Sequence, residues 1–415
     1  MENYLVSGGK KLSGSVKIES AKNSVLPILA STLLCKGQVV IQNCPKILDV
    51  LNMIKILEFL GVKCVFEQDN LLVNSENFCN KKIPISLTKE LRSSVYLLGG
   101  ILGIDNDVKI AYPGGCEIGK RPIDLHLNSF KKLGVTVKQY QSGVWCKYSN
   151  LKGGKIILPF PSVGCTENLI LLSVLGNRKT IIYNCAKEPE IVDLANFLNC
   201  CGAVIRGAGS SRIEIYGVQK LIGCTYKPIF DRIEFGTYMI AGLITGGEIE
   251  FNNINTQNIS QMLHKFLNNT CSIILNNDII YIKSGKVNKS FSFETGPFPK
   301  FPTDMQPQTM ALLSVSEGEA VVRETLFESR FAHAYYLNKM GADIFIDNNT
   351  ALVKGVKRLH GERVCAKDLR GGASLVLAGL CAEGTTIIEG VNHIERGYLD
   401  LCNKLSSLGA DIKKV

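Results

Sequence analysis

Several common signatures are missing from this chain. It has no CxxC pair, no HExxH and no GxGxxG followed by an acidic residue after a strand, which excludes zinc ribbons, dithiol redox motifs, zincin proteases and Rossmann dinucleotide sites. The segment Gly9 to Gly14 has P-loop spacing, but Ser15 stands where the phosphate-binding lysine belongs. The histidines, at 126, 264, 333, 360 and 393, are too dispersed for metal-ligand spacing, so neither metal nor cofactor is expected. Long apolar runs are also lacking. The longest, Val95 to Ile104, lies between Arg92 and Asp105 and spans about ten residues, half of what a bilayer requires. The opening MENYLVSGGKKLSG has no signal-peptide core, so a cytoplasmic protein without a membrane partner is expected. Aromatics make up only 7% and there is no Lys/Arg tract, so the formal charge of +10 points to a small polyanion held by dispersed cations rather than to nucleic acid.

What is present is an ordinary globular composition over 415 residues, 46% hydrophobic and 20% charged, enough for two or three domains. The fifteen cysteines are odd in number and scattered, with Cys200 and Cys201 adjacent, and read as free thiols in a reducing compartment.

The strongest architectural signal is repetition. A helical pattern ending near a glycine and followed by two short strands recurs from Lys55, Ser129, Leu194, Met262, Tyr335 and Cys402, about every 70 residues. The marker glycines are Gly61, Gly134, Gly202, Gly341 and Gly409, with Asn269 near the missing place. Each unit reads strand, helix, strand, helix, strand, strand. In the first, Ser15 to Ile18 is a strand, Ala21 to Cys35 an apolar helix opened by Ser20, and Gln38 to Ile41 a strand. Lys46 to Leu60 is an amphipathic helix, and Val62 to Phe66 pairs with Leu71 to Val73 around Asp69-Asn70. This order predicts an α/β protein of mixed sheets with helices packed on one another, its six units divided into two lobes of three.

Several segments carry polar residues where the repeat needs only packing. In PGGCEIGKRPIDLHL, Cys116 lies among glycines, and Lys120, Arg121, Asp124 and His126 follow within ten residues. Cations beside a thiol favour its thiolate, so the segment reads either as a reactive lid or as an ordinary Gly-rich turn. Lys22 and Asn23 open a helix, where free N–H groups suit an anion or a solvated lysine simply follows the cap. Arg92 precedes an apolar helix, placed for a phosphate or for Glu90. Asp304, in FPTDMQ, fits either a helix cap or a general base facing a hydroxyl. Arg330, Arg370 and Arg396 recur near strand-to-helix joins of late units and suit a carboxylate and a phosphate together, or separate surface ion pairs.

These segments together resemble the UDP-N-acetylglucosamine 1-carboxyvinyltransferase family. The likeness rests on AKN from Ala21, LRSS around Arg92, PGGCEIGKRPIDLH around Cys116, SVGCTEN from Ser162, DRIE from Asp231, FPTDMQ, ESRF, DLR from Asp368 and ERGY, and it covers nearly the whole chain. It implies a two-lobed inside-out α/β barrel of six repeated βαβαββ units, with residues 21–228 as an inserted lobe and residues 1–20 and 229–415 as a discontinuous second lobe. It also implies transfer of the enolpyruvyl group of phosphoenolpyruvate to the 3-hydroxyl of the sugar nucleotide, with release of phosphate and without metal or cofactor. By resemblance, Cys116 donates the proton to the methylene carbon and Asp304 accepts the hydroxyl proton. Lys22, Asn23, Arg121, Arg330, Arg370 and Arg396 hold phosphoenolpyruvate. Asn23, Arg92, Arg121, Pro122, Ile123, Asp124, Leu125, Ser162, Val163, Gly164, Asp304 and Leu326 bind UDP-N-acetylglucosamine.

The family pattern is broken at Cys165, Lys120 and Gly371, where alanine, a small residue and alanine are usual, and at Lys300, where glycine is frequent. The competing readings are the related transferase acting on shikimate 3-phosphate, whose glycine loop is absent here, an RNA-binding or RNA-end-processing protein, and a catalytically idle paralogue. Oligomeric state is left open.

Overall fold

The computed structural model describes residues 2–114, 118–119, 122–252, 254–267, 271–276, 279–285 and 288–415. These residues cluster into two compact units, one from residues 2–19, 118–119 and 230–415, the other from residues 20–114 and 122–229.

Each unit holds three four-stranded sheets of a single plan. The first strand of a sheet runs parallel to the second. The fourth lies between the second and the third and is antiparallel to both. In the residue 20–229 unit the second strands are Gln38–Ile41, Asp107–Ala111 and Lys179–Tyr183. In the other unit they are Glu248–Asn252, Glu319–Arg323 and Thr385–Glu389. The repeat read from the sequence is therefore present as six sheets. Its marker glycines share one geometry: Gly61, Gly134, Gly202, Gly341 and Gly409 have φ between 91° and 100°. A helix that hands its chain to a strand through a left-handed residue favours glycine there, because a Cβ is strained in that region. Asn269 lies outside the described residues.

Two first strands differ from the expected local reading. The strand near Ser15, observed as Ser13–Val16, does not serve the first repeat; it pairs parallel with Glu248 to Phe251 in the fourth sheet. Thr225–Tyr226 takes its place beside Val40 and Ile41. The last sheet is completed by Tyr4–Ser7, inserted between Thr385–Glu389 and Asp411–Lys414. Sequence order favours near neighbours, whereas parallel pairing joins strands that are distant along the chain. Smaller differences follow from turn chemistry. The first hairpin turns at Gln68 and Asp69, with Gln68 at φ 55°, so Asn70 is already in the strand. The expected helix Ala21 to Cys35 is Lys22–Ser31 followed by a 3-10 turn, and its N-cap is Ala21, not Ser20.

Each repeat sends one helix inward. In the residue 20–229 unit these are Lys22–Ser31, Tyr96–Ile104 and Val163–Ser173; in the other, Arg232–Ile244, Gln306–Leu313 and Leu369–Cys381. They are buried nearly all round, which requires apolar or small residues on every face. Tyr96–Ile104 meets its two neighbours through glycine. A Cβ on Gly99 would stand 2.6 Å from Asn168 O, on Gly100 2.7 Å from Ala30 O, and on Gly103 2.5 Å from Leu34 Cδ2 and 2.8 Å from Leu171 O. The pairs 30 with 100 and 34 with 103, and 99 with 168 and 103 with 171, advance together, so the three helices run parallel with their N-termini at one end.

Candidate active site

That shared end gathers Lys22, Arg92 and Ser162, each at the start of an inner segment. Three parallel N-termini point unsatisfied N–H groups and positive dipole ends the same way. Ser162 caps its helix by accepting from Cys165 N at 3.3 Å, while Val163 and Gly164 follow, partly exposed. Lys22 Nζ donates to the buried Asp49 carboxylate at 3.1 Å, so the cation has a fixed anchor. Asn23 and Arg92 are partly exposed, and Arg92 opens a 3-10 turn rather than the α-helix itself. Asp124 begins the helix Asp124–Lys132, preceded by exposed Pro122 and buried Ile123 and followed by partly exposed Leu125. His126 is fixed from behind: Asn168 bonds its Nδ1 at 2.9 Å, Val95 O at 3.1 Å and Gly99 N at 2.8 Å. Glu167, in SVGCTEN, was not expected to matter. Burial pushes its carboxyl well above the ordinary range; the Tyr96 hydroxyl opposes this, and Glu190 and Glu188 add to it.

In the other unit the inner helices also start at one end. Thr237 touches Gln308 at 3.3 Å, and Arg370 reaches Asp304. Asp231 and Asp368 cap two of these helices, Asp231 accepting from Ile233 N and Glu234 N, Asp368 from Arg370 N and Gly371 N. Asp304, in the 3-10 turn Thr303–Met305, accepts from Arg330 Nη2 at 2.8 Å and Arg370 Nη2 at 3.3 Å. Arg330 also donates through Nε and Nη2 to Thr303 O at 3.2 and 3.0 Å and stands 3.6 Å from Asp368. Arg370 lies over the Tyr398 ring at 5.2 Å, and its Nε and Nη1, both buried, have no hydrogen-bond partner among the described residues. The Tyr398 hydroxyl is held by Thr237 at 2.9 Å and Gln308 at 3.2 Å. Arg396 is partly exposed in the turn after Val391–Ile394.

Sequence reasoning passed over two supports of this cluster. Glu324, only 2% exposed, accepts from the Thr303 hydroxyl at 2.9 Å, Leu326 N at 2.9 Å and Phe327 N at 3.3 Å, so one carboxylate sets both the Asp304 turn and the Leu326 backbone. His333 Nδ1 donates to Arg330 O at 3.1 Å, and burial, opposed by Asp368 and reinforced by Arg330, lowers its pKa to about 4. The Gly371 departure fits the space: a Cβ there would stand 2.5 Å from Asp368 Oδ2 and 3.2 Å from His333 Cβ. Cys116, Lys120 and Arg121 lie outside the described residues; of their segment, Ile118 O accepts from Ser329 N at 3.1 Å.

The comparisons with known proteins agree end to end. The chain is 44% identical over 416 residues to UDP-N-acetylglucosamine 1-carboxyvinyltransferase 2 of Caldanaerobacter subterraneus subsp. tengcongensis, and 44% over 417 residues to the protein of the same name from Clostridium tetani, each match covering 100% of both chains. The chain belongs to the UDP-N-acetylglucosamine 1-carboxyvinyltransferase family. The broader family model described as EPSP synthase (3-phosphoshikimate 1-carboxyvinyltransferase) matches residues 6–405. Among solved structures, the enolpyruvyl transferase NikO from Streptomyces tendae aligns with a TM-score of 0.90 at 23% identity, covering 100% of this chain and 99% of its own. An EPSP synthase from Acinetobacter baumannii aligns at 0.77 and 16% identity over 100% of both. At those identities the structures speak for the fold alone, and it is the enolpyruvyl transferase fold. Among the described residues of this family member, no group of His, Cys, Asp and Glu is placed to hold a metal ion, and no helix is long and apolar enough to cross a membrane.

Proposed function

We propose that this protein transfers the enolpyruvyl group of phosphoenolpyruvate to the 3-hydroxyl of UDP-N-acetylglucosamine, releasing phosphate, as the first committed step of peptidoglycan synthesis. The observation that carries the reading is full-length identity of 42–44% to relatives named for that reaction. The geometry of Asp304 and Arg370 supports it. Asp304 is a partly exposed carboxylate locked by two guanidiniums, suited to take the 3-hydroxyl proton as the oxygen attacks C2 of phosphoenolpyruvate. Arg370 Nε and Nη1 are buried donors that meet no acceptor among the described residues, which suits the planar carboxylate of that substrate.

Cys116 delivers a proton to C3, giving a tetrahedral ketal. Loss of a C3 proton then expels phosphate and restores the double bond. Lys22, Arg121 and Arg396 hold the phosphate, Asn23 contacts both substrates and Arg330 stands beside Arg370. Arg92, Pro122 to Leu125, Ser162 to Gly164 and Leu326 take the sugar nucleotide. The reaction needs only these small molecules, both cytoplasmic metabolites, and we place the protein in the cytoplasm.

Phosphate release from the two substrates together, and from neither alone, is the expected outcome; substitution of shikimate 3-phosphate giving the higher rate would overturn the reading. Cys116→Asp retains turnover and Cys116→Ser loses it, and fosfomycin adds covalently to Cys116, seen as a mass increase on that peptide. One feature favours the RNA-binding rival: Lys109 and Lys138 place their Nζ atoms 5.2 and 5.0 Å from the Trp145 ring, a basic aromatic cluster formed only in three dimensions. Filter binding at physiological salt separates the two, with no retained RNA expected.

A further inference from the structure

Three cysteines remote in sequence meet behind the helix Pro189–Cys200. Cys201 follows that helix directly, and its Sγ lies 3.3 Å from Cys224 Sγ. Cys35 stands against Cys201 from a third direction, in the strand Cys35–Lys36 that pairs with Leu221–Ile222. The backbone frames the contact, since Ile222 N donates to Cys201 O at 2.9 Å. Cys200 is exposed, Cys224 partly exposed, and Cys35 and Cys201 buried. The sulfur of Cys224 also has Cys200 within reach. None of these thiols belongs to the proposed transferase chemistry.

We infer that Cys200, Cys201 and Cys224 form an oxidation site for hydroperoxides, in which Cys200 meets the oxidant and the electrons are finally drawn from the Cys201–Cys224 pair. The exposures assign the order. The contact with Cys35 and burial push the Cys201 thiol up, and burial together with Cys200 and Cys201 does the same to Cys224, so both are protonated at neutral pH and poor at attacking peroxide. Cys200 is the most exposed of the three. Its sulfur takes the terminal oxygen of the hydroperoxide, giving a sulfenic acid and an alcohol, or water from hydrogen peroxide. The Cys224 thiol displaces that hydroxyl, forming a Cys200–Cys224 disulfide and releasing water that carries the thiol proton. Cys201 then attacks the Cys224 sulfur, and Cys200 leaves as a thiol. Two thiols have become one disulfide, and one hydroperoxide has become alcohol and water. The bond joins the end of Pro189–Cys200 to the segment that carries the strand Thr225–Tyr226.

The test uses the full chain treated with hydrogen peroxide, alkylated, digested with trypsin and sequenced by mass spectrometry. Expected is a reducible link between the peptides 188–206 and 221–232, with fragmentation assigning Cys201 to Cys224. Full alkylation of Cys224 after peroxide, or sulfinic acid on Cys200 without any link, would overturn the site. A link that stays on Cys200 overturns the exchange step. Cys200→Ser slows linking at least tenfold; linking at the wild-type rate refutes the role of Cys200. Cys224→Ser forms no link and leaves a Cys200 sulfenic acid that a cyclic dione traps. Since the wild-type peptide map decides the question alone, a variant that fails to fold does not leave it open.

Discussion

Asp304 receives two arginines whose other contacts differ in kind. Arg330 is tied to Thr303 O, Asp304 and Asp368, so its charge serves the shape of the site. Arg370 spends one nitrogen on Asp304, and its Nε and Nη1 meet no acceptor among the described residues. Arg370→Lys preserves the charge but not the planar fork, so steady-state kinetics are expected to show KM for phosphoenolpyruvate rising at least tenfold with KM for the sugar nucleotide little changed. Asp304→Asn removes the proton acceptor while keeping the shape, and turnover falls by about 100-fold or more, measured as phosphate release. His333 gives a stability signature. Its pKa falls from 6.5 to about 4 on folding, so the unfolded chain binds the proton first as pH drops. The stability it supports is full above pH 6.5 and is lost as pH falls toward 4, by up to about 3 kcal/mol. Urea denaturation at pH 7 and 4.5 is expected to show a smaller acid loss in His333→Gln than in the wild type.

At the scale of the element, Tyr96–Ile104 works because three of its positions lack side chains. Gly99→Ala places a methyl 2.6 Å from both Asn168 O and Asn168 Oδ1, the second of which binds Gly99 N. Overpacking against backbone costs about 1–3 kcal/mol, and the disturbed Asn168 also holds His126, so both the denaturation midpoint and the KM for the sugar nucleotide are expected to worsen. YLLGGILGI was legible as an apolar helix and the marker glycines as the beat of the repeat, while the close approaches at Gly99, Gly100 and Gly103 needed the structure. The partners of Ser13–Val16 and Thr225–Tyr226 were not, since nothing in a short strand names the distant strand it joins. Glu324 escaped for a similar reason: one acid in VVRETLFESR carries no periodicity, and its three bonds exist only after folding. The arginines and Asp304 were legible as residue types, but that two of the arginines would clasp Asp304 was not.

For the whole molecule, the repeat count was visible in the sequence and the closure of the last repeat needed the structure. Tyr4–Ser7 is the inner strand of the sixth sheet, hydrogen-bonded on both edges, with Tyr4 and Val6 buried. Removing residues 2–8 strips both neighbours of their partner and exposes two strand edges. The truncated chain is expected to unfold at lower temperature or to aggregate on expression, whereas a chain shortened by residues 2–3 alone behaves as wild type in a thermal melt.

The junction between residues 19 and 231 has a consequence of another kind. Glu19 O accepts from Asp231 N at 2.8 Å, and Ala21 N donates to Ile229 O at 2.7 Å. The chain thus departs and returns side by side, and residues 20–229 form a parcel whose two ends are already in register. A gene could have acquired or duplicated such a parcel in one event, and circular permutants opened elsewhere in it need only a short splice across residues 20 and 229.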